Sequence, residues 1–339
     1  MTHCAITVTA KEKAELLPID APGPLGSRDV RGRTVATLVS PGTELSWNYL
    51  GNQPDPAHAF PSRPGYAAVF RAEEIGPEVK DLESGALLFC MGGHRSIQQH
   101  GVGGVVPVPP GLAPQEAVLA RLMGVTMTTL MTTAARPGDI VLVAGAGPVG
   151  YLGAHLFAIS GYDVRVVEPD SRRRDAIQRS GIRAVYSSLP ANDEGLTGKV
   201  ALVLECSGHE QAVLDGVRQV RKGGEVVLVG VPWKRRTDLS AHELLSAVFH
   251  RYAVLRSGWE WELPHDASDF RPHSIVSGFR LALRWLAERR IPLEGLIALH
   301  DPADAQSVYQ GLLRGTMERL FQVFDWEHRE NGGQKANGV

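Results

Sequence analysis

Cysteine, net charge and long hydrophobic runs are all scarce in this chain of 339 residues, and each scarcity excludes a class of protein. The three cysteines, Cys4, Cys90 and Cys206, form no CxxC pair, which argues against a disulfide framework or a cysteine-rich zinc site and suits a reducing cytoplasm. Because 35 Lys and Arg residues face 37 Asp and Glu residues, we expect no nucleic-acid partner. No apolar run approaches a membrane span, and charges interrupt the N-terminal segment, so neither a membrane partner nor a signal peptide is expected. The composition predicts a soluble cytoplasmic protein.

Apolar residues are plentiful, since 43% of the chain is hydrophobic, and its length predicts about two domains. Residues 1–117 hold short apolar stretches between turn signals such as Pro41-Gly42 and Pro64-Gly65, a pattern typical of a β-rich barrel or sandwich. Residues 118–268 alternate strands and helices, beginning with the apolar strand Ile140–Ala144, a helix over 148–160 and a strand over Asp163–Val167. This alternation predicts an α/β fold, a doubly wound parallel sheet of the Rossmann type.

The strongest local signal is a GxGxxG pattern that directly follows the strand Ile140–Ala144 and opens a helix. The first glycine permits a tight turn, the second lets the backbone approach a pyrophosphate, and the third allows close packing of helix on strand. The helix N-terminus offers unpaired N–H groups to the phosphates. The alternative is a Gly-rich turn that binds nothing. The residues predicted to bind a dinucleotide here are Gly145, Ala146, Gly147, Pro148, Val149 and Gly150.

Glu168, at the end of the second strand of this domain, bears on the choice of dinucleotide. A carboxylate at this place accepts the ribose hydroxyls of NAD and repels the 2′-phosphate of NADP. The arginines at 172–174 leave NADP(H) possible, because one of them could hold that phosphate, although they also fit the solvated first turn of a helix. The sequence therefore predicts a preference for NAD(H).

The whole order of elements resembles the medium-chain dehydrogenase/reductase superfamily over residues 5–326. Besides the GxGxxG pattern, the resemblance rests on Arg136-Pro137-Gly138-Asp139, on Glu205-Cys206-Ser207-Gly208 and on the stretch 223–232. It implies a GroES-like barrel domain over 1–117, a Rossmann domain over 118–268, and a return segment over 269–326 that completes the barrel domain. We expect the polar tail over 327–339 to be disordered. The resemblance also implies a homodimer formed through the open sheet edge of the nucleotide domain.

The same resemblance assigns further cofactor contacts. The adenosine ribose is expected to contact Arg173. The nicotinamide ring is expected near residues at the ends of neighbouring strands, namely Ser207, Val229, Gly230, Val231 and Ser257.

The departures from the superfamily concern zinc. Its zinc alcohol dehydrogenases carry a CGTD-type sequence and a GHE sequence, where this chain has Pro41-Gly42-Thr43-Glu44 and Gly65-Tyr66-Ala67. Proline and alanine cannot bind a metal, and tyrosine is a rare zinc ligand. The four-cysteine zinc lobe is also missing, so we expect no zinc. The stretch 40–45, Ser-Pro-Gly-Thr-Glu-Leu, resembles a zinc-free subset that includes bacteriochlorophyllide dehydrogenase-like proteins.

Without zinc, a side chain must take the proton from the substrate hydroxyl. Glu44 and Tyr66 occupy metal-site positions of the relatives and are expected to face the cleft, and His94 lies on the shortened loop that replaces the zinc lobe. Each has a structural alternative: Glu44 could pair with an arginine, Tyr66 could fill the space of the metal, and His94 could be a solvated loop residue. The proton carrier is therefore left open among these three.

Aromatic residues could form the wall of the substrate cleft, because their faces stack on rings and on the apolar faces of sugars. The candidates are Trp259 and Trp261, which follow a strand end that borders the nicotinamide in this superfamily, and Trp47 and Tyr49, which follow Glu44. Core packing or a subunit interface explains each of them equally well.

The sequence thus predicts a zinc-independent, NAD(H)-preferring oxidoreductase that interconverts a secondary alcohol and a ketone. The expected substrate is a cyclic polyol, a sugar-like compound or a specialised metabolite. Two alternatives remain: an NAD(P)H-dependent quinone or enoyl reductase acting on a C=C bond, and a nucleotide-binding protein without catalysis.

Overall fold

The computed structural model describes residues 3–53, 59–189 and 193–327 of the chain. Within these residues no helix is both long and apolar enough to cross a membrane. The predicted disordered tail lies outside the described residues except for Glu327. The strands, in chain order, are β1 Cys4–Ala10, β2 Lys13–Pro18, β3 Asp29–Leu38, β4 Ala68–Ile75, β5 Leu87–Cys90, β6 Ile97–Gly101, β7 Val105–Pro107, β8 Ile140–Ala144, β9 Asp163–Val167, β10 Val185–Tyr186, β11 Val200–Glu205, β12 Val220–Leu228, β13 Val254–Ser257, β14 Ile297–His300 and β15 Phe321–Asp325.

The α-helices are separated by these strands and by loops, and a π-helix and several short 3₁₀ turns complete the structure. The α-helices are α1 Pro41–Thr43, α2 Pro114–Ala117, α3 Ala120–Thr132, α4 Pro148–Ile159, α5 Ser171–Arg179, α6 Glu210–Gln219, α7 Ala241–Arg251, α8 Ile275–Ala287 and α9 Ala305–Arg314.

The chain divides into two compact units. The first unit consists of Met1–Arg121, Leu283–Arg289 and Leu293–Val339, and the second of Leu122–Ala282 and Arg290–Pro292. The division passes through the helix α8, so the C-terminal part of the chain contributes to both units.

The second unit is built on a six-stranded sheet in the order β10-β9-β8-β11-β12-β13, in which every neighbouring pair is parallel. Its central strands β8 and β11 consist almost entirely of apolar residues. This composition is expected for a parallel sheet that is covered by helices on both faces. The strands β8 and β9 have the predicted bounds. The strand β12 begins at Val220, and its register against β11 shifts near the two glycines Gly223 and Gly224. The predicted doubly wound parallel sheet is confirmed.

The first unit contains a seven-stranded sheet in which the pairs around β3, β4, β5 and β7 are antiparallel, with β14 and β15 added at one end and β6 paired to β3. A two-stranded sheet of β1 and β2 accompanies it. One core cluster joins the N-terminal strands to the helix α9 through Ile6, Val8, Tyr309 and Phe324. Consequently the C-terminal strands and helix complete the fold that the N-terminal strands begin.

Candidate nucleotide site and the buried network of the first unit

The glycine turn between β8 and α4 has a different physical reason for each glycine. Gly145 adopts a φ of +95°, which side-chain-bearing residues rarely reach. A Cβ on Gly150 would overlap the carbonyl oxygen of Gly145, so only glycine lets the helix pack this closely on the turn. A Cβ on Gly147 would meet only the Arg173 guanidinium, at 3.9 Å. The space beside Gly147 is therefore open at the N-terminus of α4, where Pro148 occupies the first helical turn.

Glu168 follows β9 and is 4% exposed, and its carboxylate binds backbone N–H groups. One oxygen accepts the N–H of Ala146 at 2.7 Å and the other accepts the N–H of Asp170 at 2.9 Å. The guanidinium of Arg173 lies 3.8 Å from the first of these oxygens, with about half of its side chain exposed. The predicted ribose partners Glu168 and Arg173 are thus brought together beside the glycine turn.

A second buried carboxylate, Glu205, has the same role at the end of β11. It is 0% exposed and accepts the N–H groups of Ser207 at 2.8 Å and Gly208 at 3.0 Å, as well as the hydroxyl of Ser207. Burial raises the pKa of this carboxyl despite these hydrogen bonds. In the sequence, Glu205 is recognisable only as part of a stretch that resembles the superfamily. Its signal was the Ser-Gly pair that follows a strand-end acid and supplies the donors.

The remaining cofactor candidates lie at the ends of β12 and β13. Gly230 approaches the backbone so closely that a Cβ there would come within 2.7 Å of the Cys206 carbonyl carbon. Val229 is buried and Val231 is half-exposed. The hydroxyl of Ser257 accepts the N–H of Trp259 at 3.1 Å. Since the carboxyl ends of parallel strands share one edge of a sheet, the structure places these residues on the edge that carries the glycine turn.

Two of the predicted substrate residues, Trp259 and Trp261, are exposed by 64% and 48%. Trp259 directly precedes the 3₁₀ turn Glu260–Glu262, and Trp261 lies within it. Two contacts connect this turn to other residues of the second unit. The hydroxyl of Thr128 donates to the carbonyl of Glu260 at 3.2 Å, and Arg256 forms an ion pair with Glu262 at 3.2 Å. The indole rings are consequently presented to solvent on a fixed support.

In the first unit, Glu44 and His94 lie in a buried hydrogen-bond network. They are 0% and 1% exposed, and Nε2 of His94 lies 2.9 Å from Oε2 of Glu44. The hydroxyl of Tyr309 donates to the same carboxylate oxygen at 2.6 Å, and the N–H of Ser40 donates to the other at 2.7 Å. Glu44 therefore pairs with a histidine and a tyrosine rather than with an arginine.

The other side of the His94 ring is also occupied. Its Nδ1 lies 2.8 Å from the hydroxyl oxygen of Thr37, which accepts the indole N–H of Trp326 at 3.0 Å. Each of these groups has a hydrogen-bond partner if the Thr37 hydroxyl donates to Nδ1 of His94 and the protonated Nε2 of His94 donates to Glu44. Sequence reasoning missed Tyr309 and Trp326, because each is more than 200 residues from the groups that it binds.

Tyr66 is half-buried and belongs to the edge of this network. Its hydroxyl donates to the hydroxyl oxygen of Ser40, and the guanidinium of Arg121 lies over its ring, 4.6 Å from the centroid. Burial raises the pKa of Tyr66, while hydrogen bonds to Ser40 and Thr43 and the charge of Arg121 lower it. Both Tyr66 and Arg121 lie in the first unit.

Tyr49 and Trp47 lie on the π-helix Glu44–Tyr49, which the sequence did not predict. Tyr49 is 0% exposed, stacks on Tyr309 with ring centroids 5.2 Å apart, and accepts hydrogen bonds from Gln306 and Gln310. Trp47 is 38% exposed. Of this predicted pair, only Trp47 therefore offers an accessible ring surface.

At the places that correspond to the superfamily's zinc site, the side chains of this chain either lack donor atoms or are hydrogen-bonded to other protein groups. Pro41 and Ala67 lack donor atoms in their side chains, and the hydroxyl of Tyr66 is bound to Ser40. Glu44 and His94 bind each other and further protein groups. Among the described residues no group of three His, Cys, Asp or Glu side chains is arranged to hold a metal ion. The residues at these places do not fit zinc.

Comparison with known proteins agrees with this architecture. Residues 148–261 match the family model described as zinc-binding dehydrogenase. The L-threonine 3-dehydrogenase of Pyrococcus abyssi is 28% identical over 291 residues, which cover 73% of this chain and 81% of that enzyme. Galactitol-1-phosphate dehydrogenase from Escherichia coli has a TM-score of 0.80 at 16% identity, covering 95% of this chain and 99% of that one.

A further structure with the same fold is acetophenone reductase from Geotrichum candidum in complex with NAD. Its TM-score is 0.79 at 14% identity, and the match covers 96% of this chain and 98% of the reductase. The predicted combination of a Rossmann sheet with an antiparallel-rich, GroES-like domain is thereby confirmed. The family model and the curated relative therefore show that the chain is similar in sequence to dehydrogenases, and the two solved structures show that it shares their fold.

Proposed function

We propose that this protein is a zinc-independent, NAD(H)-preferring oxidoreductase that interconverts a secondary alcohol and a ketone. The observation that carries the proposal is the glycine turn. Gly147 leaves open space at the N-terminus of α4, and the buried Glu168 fastens the turn through the N–H of Ala146. A helix N-terminus with an open approach for backbone is the arrangement that binds a pyrophosphate.

The nicotinamide cofactor would be held along the carboxyl edge of the six-stranded sheet. Gly145, Gly147 and Gly150 would bind its pyrophosphate, and the strand-end residues from Ser207 to Ser257 would border its ring. When bound, this cofactor accepts or gives the hydride of the reaction. Glu205 would hold the turn at Ser207 and Gly208 in place through its three hydrogen bonds.

The proposed preference for NAD(H) is supported by Glu168. Its carboxylate accepts two backbone N–H groups and retains lone pairs for ribose hydroxyls, whereas a 2′-phosphate would meet its negative charge. Arg173 lies 3.8 Å away and would contact the same ribose. The half-exposed guanidinium of Arg173 could also contact a 2′-phosphate. NADP(H) would therefore bind more weakly than NAD(H) but would not be excluded.

Tyr66 is the proposed proton carrier. Glu44 and His94 have almost no exposed surface, and their polar atoms bind each other, Tyr309, Ser40 and Thr37. These contacts favour a supporting role for both. Tyr66 keeps accessible surface, and its hydroxyl is linked to Ser40. In ketone reduction the neutral Tyr66 hydroxyl would give its proton to the carbonyl oxygen and become a phenolate, and in alcohol oxidation the phenolate would receive the hydroxyl proton of the substrate.

Zinc independence is supported by the chemistry of the side chains. A zinc ion that acidifies an alcohol needs three protein donors and an open position. The corresponding places hold Pro41, Glu44, Tyr66 and Ala67, and the Glu44 carboxylate is already hydrogen-bonded to His94, Tyr309 and the N–H of Ser40. A tyrosine carrier would supply the acid–base chemistry in place of the metal.

The proposed substrate is a cyclic polyol, a sugar-like compound or a specialised metabolite. Its support is the fixed, exposed pair Trp259 and Trp261, because indole faces stack on rings and on the apolar faces of sugars. The solved relative that acts on galactitol 1-phosphate shows that the fold accommodates polyols in that enzyme.

The first test is a titration with NADH and NADPH, followed by nicotinamide fluorescence, on protein whose metal content has been determined. Tighter binding of NADH with substoichiometric zinc is expected. A screen of cyclic alcohols and ketones then compares the wild type with Tyr66→Phe, for which kcat should fall about 10²–10⁴-fold while NADH affinity is retained. Binding of neither nucleotide would favour a protein without catalysis. Preferential turnover of quinones or enoyl compounds would favour the C=C reductase.

We also propose that the protein is a homodimer formed through the second unit. The strand β13 is the last strand of its sheet, and the neighbouring helix α7 has no buried residue. Leu245, Phe249, Tyr252 and Val254 are all exposed there, by 45–79%. An apolar patch beside an open strand edge suits a second copy related by a two-fold axis. Analytical ultracentrifugation of the wild type and of Phe249→Glu tests this, with a monomeric variant expected.

A further inference from the structure

Arg121 belongs to no recognisable sequence motif, yet it contacts the proposed proton carrier, Tyr66. It is the second residue of α3 and is 4% exposed, so its guanidinium is largely removed from water. That guanidinium lies over the face of the Tyr66 ring, 4.6 Å from the centroid. A buried arginine over a tyrosine ring is attracted weakly to the neutral phenol and strongly to the charged phenolate.

The backbone and the hydroxyl of Tyr66 are also fixed. The preceding Gly65 has a φ of +97°, and a Cβ there would come within 2.6 Å of the backbone nitrogen of His94. The hydroxyl donates to Ser40, whose own N–H is held by Glu44. The ring therefore has little freedom to move away from the Arg121 guanidinium.

The charged and hydrogen-bonding groups around Tyr66 come from several elements. Glu44, from the π-helix, disfavours the phenolate, whereas Arg121 and the hydroxyls of Ser40 and Thr43 favour it. Among the described residues, the cation whose charge lowers the pKa of Tyr66 is Arg121. Burial acts in the same direction as Glu44, so the stabilisation of the phenolate by a nearby cation matters more here than at an exposed tyrosine.

We propose that Arg121 is a positioning residue of the reaction, which orients the Tyr66 ring and stabilises its phenolate whenever the hydroxyl has given up its proton. This inference rests on the proposed function, because it assumes that Tyr66 carries the proton. In ketone reduction the proton passes from the Tyr66 oxygen to the carbonyl oxygen as the hydride reaches the carbonyl carbon. The resulting negative charge on Tyr66 would lie beside the positive charge of Arg121.

The test measures the ionisation of Tyr66 directly. The tyrosinate absorbance of the wild type is titrated against pH, and the same titration of Tyr66→Phe is subtracted to isolate this residue among the seven tyrosines. Arg121→Met removes the charge and keeps an apolar side chain of similar length. In this variant the midpoint should move upward by about one pH unit, whereas Arg121→Lys, which keeps the charge, should move it much less.

The pH dependence of kcat/KM gives a second measurement. In ketone reduction Tyr66 must be protonated, so the rate falls as pH rises through its ionisation, and Arg121→Met should move this fall to higher pH. Affinity for NADH should be unchanged within about twofold, because the proposed action of Arg121 is on Tyr66 and not on the nucleotide. If the methionine variant does not fold, Arg121→Gln also removes the charge and carries the same expectation.

An unchanged Tyr66 titration in a folded Arg121→Met or Arg121→Gln variant would overturn the inference. This outcome is distinct from failure of the proposed function. Full activity of Tyr66→Phe would remove Tyr66 as the proton carrier, whatever the absorbance titration of the Arg121 variants shows.

Discussion

Glu168 in the second unit and Glu44 in the first are both buried carboxylates, yet the groups that bind them come from very different distances along the chain. Glu168 accepts backbone N–H groups no more than 22 residues away. Glu44 accepts from His94 and Tyr309, which are 50 and 265 residues away. The first arrangement follows from a local turn at a strand end, whereas the second exists only after the N- and C-terminal parts of the chain have packed together.

Because of this difference, we expect Glu168 to affect nucleotide binding and Glu44 to affect the stability of the folded protein. Glu168 lies beside the open space at Gly147, where a ligand can reach it, so its loss should change which nucleotide binds. Glu44 is enclosed by protein, so its loss should first change the free energy of unfolding. The following predictions test this contrast, from the largest expected effect to the smallest.

Glu44→Ala should lower the free energy of unfolding by about 3–5 kcal/mol, because it leaves His94, Tyr309 and the N–H of Ser40 buried without their acceptor. Urea denaturation measures this loss. Glu44→Gln, which keeps one acceptor oxygen, is the matched control and should lose less. A change below about 1 kcal/mol in the alanine variant would show that the network is not important for the stability of the first unit.

Gly147→Val should weaken NADH binding by roughly a hundredfold or more, because the side chain would occupy the space proposed for the pyrophosphate. The unfolding temperature should change little, since a Cβ at this position meets only one guanidinium. The control is Gly150→Ala, which should lower the Tm, because its Cβ would overlap the Gly145 carbonyl oxygen. Unchanged NADH affinity in a folded Gly147→Val variant would contradict the site assignment.

Glu168→Ala should reduce the preference for NAD(H) over NADP(H) by roughly tenfold, as it removes the charge that repels a 2′-phosphate. Comparison of the two dissociation constants measures this ratio. Arg173→Ala, which leaves the carboxylate in place, should weaken both nucleotides without reversing the preference. If the ratio is the same in wild type and Glu168→Ala, another residue determines the cofactor.

A smaller effect is expected from two buried histidines, one in each unit. Burial lowers the pKa of His100 in the first unit and of His155 in the second to about 4. Between pH 6.5 and 4 the unfolded chain binds more protons at these groups than the folded protein, so stability falls as pH falls through this range.

Each histidine should contribute a loss of about 1 kcal/mol per pH unit within that window. Unfolding measured at pH 7 and at pH 5.5 should show a smaller difference for His155→Gln than for the wild type. His100→Gln provides the same measurement for the first unit. An identical difference in wild type and both variants would show that neither histidine causes the acid sensitivity.

The second unit could be predicted well from sequence because its signals are local. The bounds of β8 and β9, the glycine turn and the place of Glu168 all follow from short patterns of apolar residues and glycine. Where a turn requires a positive φ, or where a helix must approach a turn closely, the sequence itself has a glycine at that position. Even here, Glu205 was seen as a family marker and not as the acceptor for a turn.

The first unit was predicted less completely. Its β-rich character and the replaced metal positions could be read from the residues, but the π-helix Glu44–Tyr49, the burial of Tyr49 and the partners of His94 could not. The catalytic and substrate assignments remain predictions. Burial divides their candidates into those with accessible surface, Tyr66 and the exposed tryptophans, and those enclosed by protein.

The sequence by itself determined the class of fold, the glycine turn and the replacement of the superfamily's CGTD-type and GHE sequences, because each depends on the residue types within a short stretch. Only the tertiary structure decided which side chains meet Glu44, that Tyr309 and Trp326 complete its network, and that Arg121 lies over Tyr66. The physical reason is that hydrogen bonds and ring contacts between remote residues depend on the packing of whole elements, and no local pattern in the chain records that packing.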